Sequence, residues 1–251
     1  MATTFTSPPV RLGKRPARSD SRTLKMAKYL PYDLSPAPPA VDYLSGITDW
    51  RMMENDQVGD CTIAGCGHAV QVWYAATGSE LTLPDSVIVD AYERWCGYVP
   101  DNPASDQGGV ELEVLNCWRQ EGLGGEEILA YMDPDPGDIE HIRKSIQLFG
   151  LVYIGLQLPL TAQGQAVWDV IPDAGWQGNP VSWGGHCVVC PEYDEDGLTC
   201  ITWGKQQKMT WNFWKTYCDE SHTILSKVWL DRAPVDFHFD NLMADLAAVA
   251  S

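Results

Sequence analysis

The sequence predicts an α+β fold in which a helical front half faces a mostly β back half across a cleft. Three observations carry that expectation. Apolar residues recur at helical spacing in segments between positions 61 and 149, β-branched and aromatic runs replace that pattern beyond Gly150, and no unit of either kind repeats along the 251 residues. With 45% hydrophobic residues and 11 tryptophans, the chain has the material for a sizeable core.

The elements follow in order. Residues 1–24 are rich in Ser, Thr, Pro and Arg without apolar periodicity, and Pro31, Pro36, Pro38 and Pro39 forbid a long helix further on. Residues 1–40 are therefore expected to form a flexible, basic, Pro-rich arm, and deleting 1–24 should leave the melting temperature nearly unchanged. A helix is expected over 61–76, capped by Asp60 and stopped at Thr77-Gly78. Pro84 opens a second helix over 84–96, a loop spans 101–109, and a third helix over 110–120 ends at Gly122, Gly124 and Gly125. In a fourth, over 139–149, Ile139, Ile142, Ile146 and Phe149 share one face. Strands are expected over 151–156, 187–190, 198–203 and 223–230, with a short helix over 209–217. The alanine-rich stretch 243–250 reads as a small helix or a frayed end. This organisation gives a main domain over 41–232 and a C-terminal tail over 233–251.

Charge is uneven. The formal net charge is −17, yet residues 1–28 hold seven of the 17 Lys and Arg residues and a single acid, Asp20. An acidic body argues against nucleic acid as a ligand, because phosphate contacts need clustered Lys and Arg. The basic arm suits a protein partner in an assembly, an RNA or DNA strand, or plain solvent. No apolar run approaches a membrane span and no signal-peptide core is present, so a soluble, cytoplasmic protein with mostly reduced cysteines is expected.

Two stretches have the composition of a nucleophilic site. In Asn55-Asp56-Gln57-Val58-Gly59-Asp60-Cys61, a polar turn delivers a thiol to the first turn of an apolar helix. Unpaired backbone N–H groups and the helix dipole favour a thiolate there and can stabilise an oxyanion, while the adjacent Asp60 works against the thiolate. The competing reading of Cys61 is a small buried core residue. In Ser182-Trp183-Gly184-Gly185-His186-Cys187-Val188-Val189, a Gly-Gly turn sets an imidazole at the start of a strand, and a later strand closes in Thr202-Trp203-Gly204. His68 falls two helical turns from Cys61, roughly 10 Å away, and is assigned to the core or surface. Cys187 and Cys190 have metal-like spacing, but strand positions three apart face opposite sides. Neither metal nor cofactor is expected.

This order of motifs resembles the papain-like cysteine peptidases and their bacterial and phage relatives. Asp49-Trp50-Arg51 through Cys61 resembles the segment leading to the family's nucleophile; Gln107-Gly108-Gly109 with Trp118, Gly122 and Gly124 resembles its Gly-Gly segment and following helix. Gly150-Leu151-Val152-Tyr153-Ile154 resembles its first barrel strand, Gly185-His186-Cys187-Val188-Val189 with Tyr193 its histidine strand, and Thr202-Trp203-Gly204 the end of its Asn-Ser-Trp-Gly. The resemblance covers about residues 41–232. It implies a two-lobed fold, an N-terminal helical lobe carrying the nucleophile helix and a C-terminal antiparallel β lobe. It also implies a thiol hydrolase that cleaves peptide or isopeptide bonds through an acyl-enzyme.

Carried over residue by residue, Cys61 is the nucleophile and His186 the base and later acid. The family's oxyanion amide lies six residues before the cysteine, where this chain has Asn55; Gln57, four before, has the family's residue type at a shorter spacing. The family's histidine-orienting Asn is missing. Trp-Gly as anchor puts Ile201 in its place, and the interval from His186 puts Thr202 there, which can bond the imidazole; Asp194 and Asp196 are further substitutes. Loss of an orienting residue can cost up to ~10⁴ in rate. The alternative function is thus a catalytically weakened or inactive papain-like module of a phage particle or bacterial assembly, virion-associated and tethered by its basic arm. A transglutaminase-like acyl transferase is a further alternative.

Overall fold

The computed structural model describes residues 10–31, 35–135, 137–229 and 237–250. Strand β1 (Val41–Asp42) leads to helices α1 (Cys61–Ala76), α2 (Asp85–Cys96) and α3 (Glu111–Glu121), then to β2 (Ile128–Met132) and α4 (Ile139–Phe149). The back half contributes β3 (Val152–Leu158), β4 (Val167–Trp168), β5 (Gly184–Tyr193), β6 (Gly197–Thr202), β7 (Lys205–Thr210), α5 (Trp211–Tyr217) and β8 (Cys218–Ser226). Helix α6 (Phe239–Ala250) follows. The strands join in the order β2-β8-β3-β5-β6-β7-β4, with β1 on β5, and every pairing is antiparallel except β4 with β7.

Helix α1 is buried on all sides from Cys61 to Trp73. Its small residues explain how. The space where Gly65 would carry a Cβ is filled by the Tyr153 ring, 3.1 Å away, and the Tyr153 hydroxyl donates to Thr62 O at 2.8 Å. Close backbone approach of this kind offsets the cost of glycine within a helix, about 1 kcal/mol. Two polar side chains on its length are used as staples. His68 Nε2 donates to Trp50 O (2.9 Å), and Gln71 Nε2 donates to Asp49 O (3.1 Å) and Thr82 Oγ1 (2.9 Å), fixing the loop that delivers Cys61. Burial pulls the His68 pKa down to about 4, so it is a neutral core residue.

Differences from the sequence expectation have local causes. Asp60 does not cap α1: its carboxylate is turned inward and accepts from Asn55 Nδ2 at 3.0 Å. Strands β2 and β7 lack the expected signature. β2 follows the glycine turn after α3 and pairs with β8 from the far end of the chain, and β7 is the polar sequence Lys-Gln-Gln-Lys-Met-Thr, held by β6. The expected strand over 223–230 begins earlier, at Cys218, and ends at Ser226; residue 230 lies outside the described residues.

The largest difference concerns the arm. Residues 10–31 are packed onto the body. Met26 N donates to Asp133 O and Asp133 N to Leu24 O, extending the backbone bonding beyond β2. Met26 and Tyr29 are fully buried with Met132, Phe149, Leu225 and Leu242, and Tyr29 Oη donates to Asp245 Oδ2 on α6 at 2.7 Å. Local propensity held no trace of this, because tertiary burial of single anchors such as Met26 gives no periodicity. Residues 1–9 and 32–34 of the arm, and 230–236 and 251 towards the tail, lie outside the described residues. Met26→Ala should therefore destabilise the protein by about 2–4 kcal/mol, seen as a lowered urea midpoint; an unchanged midpoint would show that the segment is not part of the core.

Candidate active site

Cys61 opens α1, and β5 runs alongside it so that the backbone N–H of Cys187, the residue after His186, is directed at the sulfur. His186 lies opposite Leu156 in the β3–β5 register. Its Nε2 is 2.6 Å from Thr202 Oγ1, its ring stacks on Trp203 at 4.4 Å and 16°, and its Nδ1 has no hydrogen-bond partner. Alternation along β6 decides between the two residues considered at the orienting position. Ile201 points into the main core and Thr202 to the opposite face, towards the imidazole. Trp203, with φ of 47°, turns the chain so that its indole covers the ring. Asp194 bonds its own turn and Lys208, away from this chemistry.

The two amides of the loop before Cys61 differ in their bonding. Asn55 is buried, and its Nδ2 donates to Asp60 Oδ1 (3.0 Å) and Val58 O (3.2 Å). Gln57 is exposed and donates to Asp56. Both amide hydrogens of Asn55 are thus used within the loop, whereas Gln57 spends one of its two. Among the described residues, Cys187 and Cys190 belong to separate core clusters on opposite faces of β5.

Across this site runs the N-terminal segment. Arg11 N donates to Asn55 O (3.0 Å), Gly109 N to Gly13 O (2.8 Å), Lys14 N to Gly185 O (3.1 Å) and Arg15 N to Gly109 O (2.8 Å). The channel is lined with glycines because backbone meets backbone. A Cβ on Gly13 would lie 1.7 Å from Gly59 O, one on Gly108 1.8 Å from Gly13 O, and one on Gly185 2.2 Å from Lys14 O. Trp203 Nε1 donates to Arg11 O at 3.1 Å, and beyond it Val10 borders a cavity of about 830 Å³ lined by Trp168, Trp183, Trp203 and Gln207.

This cover sets the electrostatics. Cys61 and His186 are each 1% exposed. Burial pushes the Cys61 thiol up to about 12, against backbone hydrogen bonds from Cys187 and Gly13. Burial pulls His186 down to about 3. The pair is a neutral thiol and a neutral imidazole while the segment is in place, contrary to the reactive thiolate expected from the helix start alone.

Next to the pair, the Lys14 side chain crosses the bare face of Gly155 and enters a buried acidic pocket. Its Nζ is 3.0 Å from Asp219 Oδ2 and 2.8 Å from Glu220 Oε1. Behind it lie Glu111, which is fully buried, and His222, whose Nδ1 donates to Asp133 Oδ1 at 2.9 Å and whose Nε2 is 3.8 Å from Glu111 and 3.6 Å from Glu220. Burial opposes a charged His222, but Asp133, Glu220 and Glu111 outweigh it and raise the pKa to about 9. Sequence reasoning missed Lys14, Glu111 and Glu220. The available signals were Gly13, alone among the first 45 residues, and a glutamate two residues after Gly108-Gly109.

The chain has the papain-like fold. No family model and no curated sequence matches it, but solved structures do. It is similar to xylellain, a cysteine protease from Xylella fastidiosa (TM-score 0.66, 13% identity, 89% of this chain and 99% of that one). It is also similar to digestive procathepsin L 3 of Tenebrio molitor larval midgut (TM-score 0.54, 13% identity, 81% and 76%). The Carica candamarcensis cysteine protease CMS1MS2 gives a TM-score of 0.53 at 14% identity, over 75% and 98% of the two chains. No helix among the described residues is long and apolar enough to cross a membrane.

Two outcomes are expected. His222 carries a folded pKa near 9 against about 6.5 unfolded. Its contribution is therefore full below about 6.5 and is lost as pH rises through about 9. The melting temperature should fall across that window, and His222→Gln should flatten the fall; an equal slope in the variant would refute the assignment. Gly13→Val should unseat the segment, and the amides of Lys14 and Arg15 should then lose protection from hydrogen exchange by 10-fold or more. Retained protection would show that the segment is held by other contacts.

Proposed function

We propose that this protein is a papain-like thiol hydrolase acting on peptide or isopeptide bonds, held latent by its own residues 11–15. The observation that supports it best is His186. A buried imidazole with one nitrogen on Thr202, its face on an indole and the other nitrogen unpartnered is arranged for proton transfer at that free nitrogen. Cys61 is the nucleophile. With the segment withdrawn and water admitted, Nδ1 takes the thiol proton, and the imidazolium stabilises the thiolate. The sulfur adds to the substrate carbonyl, the oxyanion draws on the Cys61 backbone N–H at the start of α1, and the amine leaves with the proton from Nδ1. Water, deprotonated by the same nitrogen, then releases the acyl group. Thr202 orients the ring by one neutral hydrogen bond, a weaker device than an amide.

A second reading, a module of a phage particle or bacterial assembly without turnover, is favoured by the filled cleft and the neutral pair. Arg11 and Arg15 are exposed on the segment and would face an acidic partner. Incubation of the wild-type chain and Gly13→Val with a peptide library under reducing conditions separates the readings. The hydrolase account expects cleavage, faster in Gly13→Val, that is abolished by Cys61→Ala. Thr202→Val should lower kcat about 10-fold, as expected for a bond worth ~0.5–1.5 kcal/mol, with KM little changed. No cleavage by either chain, with assembly unaffected by Cys61→Ala, would leave the module reading.

A further inference from the structure

Lys14 is an unusual residue to bury. Its side chain is 1% exposed, and Asp219 and Glu220 hold its ammonium at 3.0 and 2.8 Å. Gly155 makes this passage, since a Cβ there would lie 1.9 Å from Lys14 Cε and 2.7 Å from Glu111 Oε1. Glu111 itself is 0% exposed, and neither of its carboxylate oxygens has a hydrogen-bond partner. A buried, unpartnered carboxyl is expensive unless something cationic faces it. Here the cation comes from a segment that touches the body mainly through backbone and glycines, beside Cys61 and His186. The pocket belongs to the body, whereas its occupant belongs to the removable segment.

We infer that the pocket formed by Glu111, Gly155, Asp219 and Glu220 is the specificity pocket of the cleft and takes a lysine or arginine side chain of the substrate peptide, with Lys14 as its occupant in the closed state. This rests on the reading of the cleft as a peptide site. The geometry supplies both parts of recognition. A peptide whose backbone bonds Gly109 and Gly185, as Gly13, Lys14 and Arg15 do, brings a side chain to the bare face of Gly155. Only a long, unbranched cationic chain then reaches Asp219 and Glu220 across that face. An aliphatic chain of the same length would leave Asp219 and Glu220 without the ammonium that Lys14 brings to them at 3.0 and 2.8 Å. His222 does not supply that charge alone, because its bonded partner is Asp133 and Glu111 and Glu220 lie 3.8 and 3.6 Å from its Nε2.

The test needs no turnover. In the full chain carrying Gly13→Val, Lys14→Ser and Cys61→Ala, the segment is displaced, its anchor is absent and the thiol is removed. Fluorescent peptides Leu-Gly-Lys-Arg-Pro and Leu-Gly-norleucine-Arg-Pro are titrated by anisotropy. The lysine peptide should bind at least 10-fold tighter than the norleucine peptide, and the difference should shrink several-fold when Glu220→Gln or Asp219→Asn is added. Residual occupancy by the segment lowers both affinities by one factor and leaves their ratio intact. Equal affinities, no measurable binding of either peptide, or a preference untouched by both acid substitutions would overturn the inference. So would Zn²⁺ binding at the three side chains Glu111, Glu220 and His222 that the lysine peptide fails to displace. Failure of the hydrolase reading leaves the binding ratio standing, whereas failure of this inference leaves cleavage without a preference for basic side chains.

Discussion

The contact between α1 and β5 is the constraint on which the site depends. Helix α1 is buried on every side, and its approach to the sheet is set by the absent side chain of Gly65, with the Tyr153 ring in that space and Cys187 Sγ 3.5 Å from where a Cβ would stand. That approach sets the helix that opens with Cys61 against the strand that carries His186, 125 positions further along the sequence. The polar staples from His68 and Gln71 then fix the loop in front of Cys61, where Arg51, Met53 and Glu54 all hold positive φ. Such conformations cost of order 1 kcal/mol or more each and persist where the surroundings determine them. A larger residue at position 65 would therefore act on the site through the helix, without touching substrate.

Covering the site changes its chemistry as much as its access. A thiol at a helix start beside an imidazole is poised to ionise when water and backbone dipoles can solvate the ion pair. With Gly13 over the sulfur, the same two groups are dry, and burial moves their pKa values in opposite directions, so the neutral pair is the stable form. On the proposed reading, a segment of a few residues thus holds the thiol silent without altering any residue of the site. The same segment fills the acidic pocket with Lys14, so that, on the proposed reading, its removal exposes a charged cleft as well as the Cys61 thiol.

Much of this was legible in the sequence. The helix over 139–149 carries a strong periodic signal, and both it and the helix over 61–76 appear with the expected limits, although Asp60 does not cap the latter. The choice of Thr202 over Ile201 follows from alternation once β6 is known to be a strand. What the sequence hid has one physical origin, long-range pairing without local pattern. Gly13, Lys14 and Arg15 bond glycines more than ninety residues away, β7 is polar and is held only by its neighbours, and Asn55, which sits at the family's oxyanion spacing, is drawn off by Asp60. Composition described residues 1–24 correctly as polar and basic. It could not reveal that one lysine among them answers a buried cluster of acids.

The central claim, that Cys61 and His186 form an activatable thiolate–imidazolium pair beneath a removable cover, is tested most directly by the pH profile of Cys61 carboxymethylation in the Gly13→Val chain. The account expects a reactive plateau extending below about pH 6 that disappears when His186→Ala is added, with little reaction at Cys61 in the covered wild type at the same pH. A rate that rises tenfold per pH unit up to about 8.5, as for an ordinary thiol, and is indifferent to His186 would contradict it.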